Sequence, residues 1–205
     1  MAMYRTEAFT SPLCRISYAQ GLHKPSDKDN PSDNDRFSVT LIFPKSEVEK
    51  LRAAVAEVVQ NQWGEKGVER FKNGLIKNPI LAGDGKSAYT RDGELKDGMG
   101  PDVVFIRTTS GRPTPCFDQN VQPMDAKSII SGHWGKAVLN ALAWHNPKNG
   151  DGVSFGLDMW QHVKADTSLG GGGAGDPNAF FSKEKVDTSE SGPSGDKGGA
   201  ADMFG

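Results

Sequence analysis

The stretch WGKAVLNALAWHNPKNGDGVSFGLDMWQHV, residues 134–163, decides the architecture. Between Trp134 and Trp144, the residues Trp134, Lys136, Val138, Asn140, Leu142 and Trp144 separate from Ala137, Leu139, Ala141 and Ala143, which is the period of two of a strand with one face on a core. The alanines would also allow a helix over Ala137–Ala143, but the clean partition into two faces favours the strand. Val153 to Val163 alternates in the same way, and Asn146-Pro-Lys-Asn-Gly-Asp-Gly152 between them is strong turn chemistry. The reading is a long β-hairpin.

Working outward from the hairpin, the rest of the body reads as strands, loops and one clear helix. Phe37, Val39, Leu41 and Phe43 alternate with Arg36, Ser38, Thr40 and Ile42, and Cys14, Ile16 and Tyr18 alternate in an earlier strand. The polar stretch His23 to Asp35 between them is a long loop. After Pro44, Ser46 and Glu49 have capping-box spacing, and Val48, Leu51, Val55, Val58 and Val59 recur at helical spacing, predicting a helix over about Glu47 to Gln62. A short helical piece follows over Glu65 to Phe71. Gly, Pro and Asp then make Asn73 to Pro101 an irregular excursion, followed by strands over Val103–Arg107 and Arg112–Phe117. A mostly β chain with one main helix, long loops and five or six strands of uneven length predicts an OB-fold-like Greek-key β-barrel.

Composition divides the chain. Residues Ala165 to Gly205 hold seven acids (Asp166, Asp176, Glu184, Asp187, Glu190, Asp196, Asp202) and three bases (Lys183, Lys185, Lys197), a net of −4, out of totals of 26 and 24. The preceding 164 residues therefore carry 19 acids and 21 bases, a net of +2. Ten of the 25 glycines also fall in this last segment, where apolar side chains are too few to offset the entropy of ordering. The expected organisation is a folded domain over 1–164 and a disordered, Gly-rich acidic tail over 165–205. Phe180, Phe181 and Phe204, the last preceded by Asp202, interrupt the tail and suit pockets on partner proteins. No run approaches the ~18 apolar residues of a membrane span, and the N-terminus lacks the apolar stretch of a signal peptide. A soluble, unsecreted protein without a membrane partner is expected. Cys14 and Cys116 lack metal-type spacing and read as buried thiols of a reducing compartment.

Several motifs resemble catalytic or ligand-binding strings without their frame. Gly83-Asp-Gly85-Lys86-Ser87 looks like the end of a phosphate loop, but Ile80 stands where the pattern needs a glycine. Gly152-Val-Ser154-Phe-Gly156 matches a nucleophile elbow in letters, yet a turn precedes it and a period-two run follows. Asp27, Asp29, Asp33 and Asp35 fall short of a calcium loop because Ser32 and Ser38 occupy the glycine and glutamate positions. His23, His133, His145 and His162 show no ligand spacing. No cofactor or metal is expected.

What remains is a recurrent pairing of rings with cations: Tyr89 with Arg91, Phe105 with Arg107, Arg112 with Phe117, and Trp134 with Lys136. Single-stranded nucleic acid calls for both, since bases stack on rings while phosphates need charge. Each ring alone is equally at home in a core.

The order of blocks Ser11-Pro-Leu-Cys-Arg-Ile-Ser17, Phe37-Ser-Val-Thr-Leu-Ile-Phe-Pro44-Lys45, Ile106-Arg-Thr-Thr-Ser-Gly-Arg112-Pro113, Ser131-Gly-His-Trp134 and Gly152-Val-Ser-Phe-Gly-Leu157 resembles bacteriophage single-stranded DNA-binding proteins of the OB-fold, over about residues 10–165. The resemblance implies a protein that coats and protects single strands without sequence specificity during phage DNA replication or recombination. It also implies self-association along DNA and a cytoplasmic location in the infected host. The acidic tail would compete for the groove or recruit replication and recombination proteins. Matching positions suggest Arg107, Arg112 and Trp134 for the groove. Gly205 after Phe204 departs from a strictly terminal aromatic. Two other classes stay open at this point: a phage structural or adaptor protein whose barrel binds only protein, and a hydrolase acting through Ser154.

Overall fold

The computed structural model describes residues 3–25 and 36–170. The loop aspartates Asp27, Asp29, Asp33 and Asp35 and the tail residues Phe180, Phe181, Asp202 and Phe204 lie outside them. The strands are β1 (Phe9–Thr10), β2 (Cys14–Ser17), β3 (Phe37–Pro44), β4 (Ile76–Lys77), β5 (Leu81–Ala82), β6 (Val103–Ser110), β7 (Cys116–Phe117), β8 (Trp134–Asn146) and β9 (Gly150–Lys164), with one helical element, α1 (Glu49–Lys72), between β3 and β6. Strands β2, β3 and β6 form an antiparallel meander, and the β8–β9 hairpin closes it. β9 lies parallel beside β6, with Thr108 opposite Phe155, and β8 returns antiparallel to β2, with Arg15 opposite Trp134. The ring β2-β3-β6-β9-β8 is therefore a closed five-strand Greek-key barrel, as the sequence predicts, and closure leaves no open edge among its members.

The barrel interior follows the alternation read from the hairpin. Ala137, Leu139, Ala141 and Ala143 are all buried, together with Phe155 and Leu157 of β9, Val39, Leu41 and Phe43 of β3, Ile16 of β2 and Ile106 of β6. α1 packs on β8, β4 and β9 and adds Leu51, Val55, Val58 and Val59 to the same cluster. Each such side chain contributes about 1.5–3 kcal/mol on leaving water.

Local structure departs from expectation at four points. Ser46 makes no cap: residues Lys45–Glu47 form a 3-10 turn, and Val48, the residue before the helix, has no side-chain cap bond. The two expected helical pieces are both present within Glu49–Lys72 and meet at Gly64, whose φ of 64° and ψ of −156° take the chain out of helical geometry where an L side chain is strained. The break re-aims the second piece so that Val68 and Phe71 pack against the same core. The Arg112–Phe117 strand shrinks to Cys116–Phe117 beside β9. Tyr18, which period two assigns to the buried face with Cys14 and Ile16, leaves the strand in the left-handed region at φ 57° and turns outward. The excursion after α1 is not wholly irregular, since Ile76–Lys77 pairs with β9 and Leu81–Ala82 with β6.

The segment Ala165–Gly170, which composition assigns to the tail, runs back over the barrel. The Leu169 amide donates to Ser131 O, the Gly170 amide to Asp97, and Leu169 packs on a small second cluster of Ile42, Ala88 and Phe105. Ser154 sits within β9 opposite Leu142, on extended strand and not on a strand-to-helix turn. Both cysteines are buried, free thiols.

Candidate nucleic-acid interface

Strand register places the outward residues of the barrel in rows. One row runs Lys164, Trp134, Arg15, Ile42, Phe105 and Leu81 across β9, β8, β2, β3, β6 and β5. The next runs Ser17, Thr40 and Arg107, and the one after it Ser38 and Thr109. Arg107 and Trp134, far apart in sequence, thus lie on one face of the barrel.

Over this face opens a cleft of about 340 Å³ whose lining includes Tyr18, Lys24, Thr40, Lys96, Met99 and Arg107. Three cations and no carboxylate line it among the described residues. Tyr18 stands at its mouth, 49% exposed. A non-glycine residue at positive φ costs about 1–3 kcal/mol and persists only when its surroundings impose it. Here the Ala19 amide donates to Ser131 Oγ and the Gly21 amide to Tyr18 O, fixing the turn that throws the ring outward. A second, neighbouring cleft of about 440 Å³ shares Tyr18, Gln20 and Lys96 and is bordered by Leu95, Leu169 and the carboxylates Glu94 and Asp97.

The sequence-derived residues fall into three groups. Arg107 lines the cleft, while Phe105 beside it is 1% exposed and packs in the small cluster with Ile42 and Ala88, where its ring is floor and not a free stacking surface. Tyr89 and Arg91 are exposed on the loop that carries Lys96, and Arg112 is exposed just past the end of β6, where Arg36 also approaches Gly111. Lys136 and Phe117 come together elsewhere, in a shallow cleft with Val121 and Met159.

Trp134 is held on every polar side. Its indole N–H donates to Asp166 Oδ2 at 2.6 Å, and the cations of Arg15 and Lys164 lie 5.7 and 5.4 Å from its ring. Arg15 Nε donates to Gly132 O and its Nη2 to Thr167 O, with Asp166 3.8 Å away. The indole bond, the Thr167 amide and the Arg15 charge hold the Asp166 carboxyl below the usual carboxylate range.

Four residues of this face, Arg15, Tyr18, Lys24 and Lys96, escape the sequence reading. Register supplies the signal for Arg15, which lies next to Ile16 on an outward position of β2. Nothing in the periodicity marks Tyr18, and Lys24 and Lys96 lie on loops whose approach to the barrel is a tertiary fact. Among the described residues no group of three or more His, Cys, Asp or Glu side chains is placed to hold a metal ion, and no helix is long and apolar enough to cross a membrane.

Three comparisons bear on this geometry. The family model described as Enterobacter phage Enc34, ssDNA-binding protein, matches residues 6–190. A protein p50 of Acyrthosiphon pisum secondary endosymbiont phage 1 is 26% identical over 152 residues, covering 71% of this chain and 78% of that protein. Among solved structures, the single-stranded DNA-binding protein of bacteriophage Enc34 in complex with ssDNA superposes with a TM-score of 0.57 at 18% identity, covering 78% of this chain and 88% of that one. Gp2.5, a single-stranded DNA-binding protein encoded by bacteriophage T7, gives 0.53 at 14% identity, covering 80% and 94%.

Proposed function

We propose that this chain, which belongs to the family of the Enterobacter phage Enc34 single-stranded DNA-binding protein, binds single-stranded DNA in phage DNA replication across the β2-β3-β6 face of its barrel. The observation that carries the reading is the cleft on that face, where Tyr18 offers an exposed ring beside Lys24, Lys96 and Arg107 with no carboxylate among the described lining residues. Phosphates are neutralised by the three cations, and a base stacks on the tyrosine. Arg112 and Arg36 extend the positive track past the end of β6, and Trp134 with Arg15 extends it toward β8. Because stacking accepts any base and no recognition helix is offered to a major groove, binding is independent of sequence and favours single strands.

The protein acts by binding, without a chemical step, and coats and protects the strand during replication or recombination inside the infected host. The acidic tail recruits replication or recombination proteins, with Phe180, Phe181 and Phe204 as anchors. Quenching of tryptophan fluorescence by oligo-dT, titrated over a range of salt with duplex as competitor, tests the reading. Quenching that weakens as salt rises, with duplex a poor competitor, is the expected result. Equal affinity for duplex and single strand across the titration sinks it.

A further inference from the structure

We infer that Arg15 and the indole N–H of Trp134 form a phosphate site at the β8 edge of the binding face, and that the Asp166 carboxylate occupies it in the free chain. The inference rests on the single-strand reading above and assigns a further contact point within it. An oxyanion bound there would find the indole N–H donor and the Arg15 guanidinium beside it, a donor and a cation of the kind a backbone phosphate takes. Asp166 supplies that anion: Oδ2 accepts from Trp134 Nε1 at 2.6 Å and lies 3.8 Å from Arg15 Nη2, while Oδ1 accepts from the Thr167 amide at 2.7 Å.

The fold keeps this carboxylate in place by design of its backbone. Gly132 has a φ of 109°, and a Cβ there would stand 2.1 Å from Thr167 O, so only glycine lets the returning segment lie this close to β2. Arg15, which donates to Gly132 O and Thr167 O, ties the two together. Leu169 then anchors the segment on Ile42 and Phe105, two positions along the same row as Arg15. The site is nevertheless open to exchange. The Asp166 and Arg15 side chains are 40% and 20% exposed, so the carboxylate can swing into solvent while Leu169 stays seated.

The row geometry says what enters. Trp134, Arg15 and Ile42 are successive cross-strand neighbours, and Arg107 lies one row over on β6. A strand whose phosphates run along the Arg107 cleft and cross β3 and β2 therefore reaches the Trp134 ring with a phosphate over Arg15, where it replaces Asp166. An exposed ion pair of this kind is weak, so the exchange is readily reversible.

The test is a salt titration of oligo-dT binding by the full chain, with thermal melts beside it. Asp166→Asn keeps an acceptor for the indole and removes the competing charge. It is expected to bind about two- to fivefold more tightly at low salt, the size of one exposed pair released. Asp166→Glu keeps the charge and should behave as wild type. Placing Asp166→Asn in an Arg15→Ala background should abolish this gain. An Asp166→Asn chain indistinguishable from wild type, or a gain that survives loss of Arg15, overturns the phosphate site. A wild-type chain that does not bind oligo-dT at all overturns the single-strand reading itself.

Discussion

Arg107 is exposed on β6, directly opposite Thr40 of β3, and shares its cleft with Lys24 and Lys96. If each of these cations neutralises one phosphate, each contributes about 0.7 to the slope of log affinity against log salt. Arg107→Ala should flatten the slope by that amount and cost about 1 kcal/mol at low salt, near fivefold, because the cleft is open to solvent and the contact is screened. The combined Lys24, Lys96 and Arg107 alanine variant should flatten the slope by about 2, and, if the three sites add, weaken binding by about a hundredfold. Arg107 makes no ion pair within the described residues, and Lys96 only reaches Ser87 O on its own loop, so melting should be nearly unchanged, within roughly 0.5 kcal/mol per site. Fluorescence titration with oligo-dT at several salt concentrations reads both quantities. An unchanged slope in the triple variant with undiminished affinity would refute this placement of the strand on the β2-β3-β6 face.

Two further predictions concern the folded body. His133 lies against His162 with ring centroids 4.9 Å apart, and His133 Nδ1 and His162 Nε2 are buried without partners among the described residues. Burial, then the neighbouring His162, holds His133 below its ordinary value of 6.5, partly opposed by Asp166. The unfolded chain therefore binds the proton first, and stability should fall as pH drops from neutral through 6.5 toward the folded value, a window separate from that of the depressed Asp151 and Asp166 carboxyls below 3.8. Melting temperature against pH checks this: His133→Gln should flatten the fall, and an equal fall in the variant would remove His133 as its cause. Burial also pushes the Cys14 thiol to about 12 and the Cys116 thiol to about 11, so neither should react with a thiol reagent in the native state, and both should react at once on denaturation. Rapid labelling of the folded chain would contradict their placement.

The barrel was legible because its members carry an unambiguous period. The β8–β9 pair could be read from residues 134–163, since four small or aliphatic side chains fall on one face, although the connection is three residues, 147–149, and not the seven that the turn chemistry spans. β3 was equally plain. Local chemistry failed where two solutions compete within a few residues. Ser46 and Glu49 have capping-box spacing, but β3 runs on to Pro44, and residues Lys45–Glu47 close as 3-10 instead. Gly64, by contrast, separates two helical pieces as the sequence suggests.

The site was harder to read because its parts are brought together by register and by loops rather than by spacing. Ring-and-cation pairs along the chain include both members of the binding face and residues with other duties, and sequence alone does not sort them: Arg107 and Phe105 are two residues apart on β6, yet one lines the cleft and the other is its buried floor. Tyr18 shows the converse. A strict alternation puts it with Cys14 and Ile16 in the core, and only the left-handed turn, held by Ser131 from a segment more than a hundred residues away, turns it to the solvent side. On the single-strand reading proposed above, that exposed ring in a costly backbone conformation is the stacking surface of the cleft. That makes Tyr18 the residue on this face whose position packing alone explains least and stacking on a base explains best.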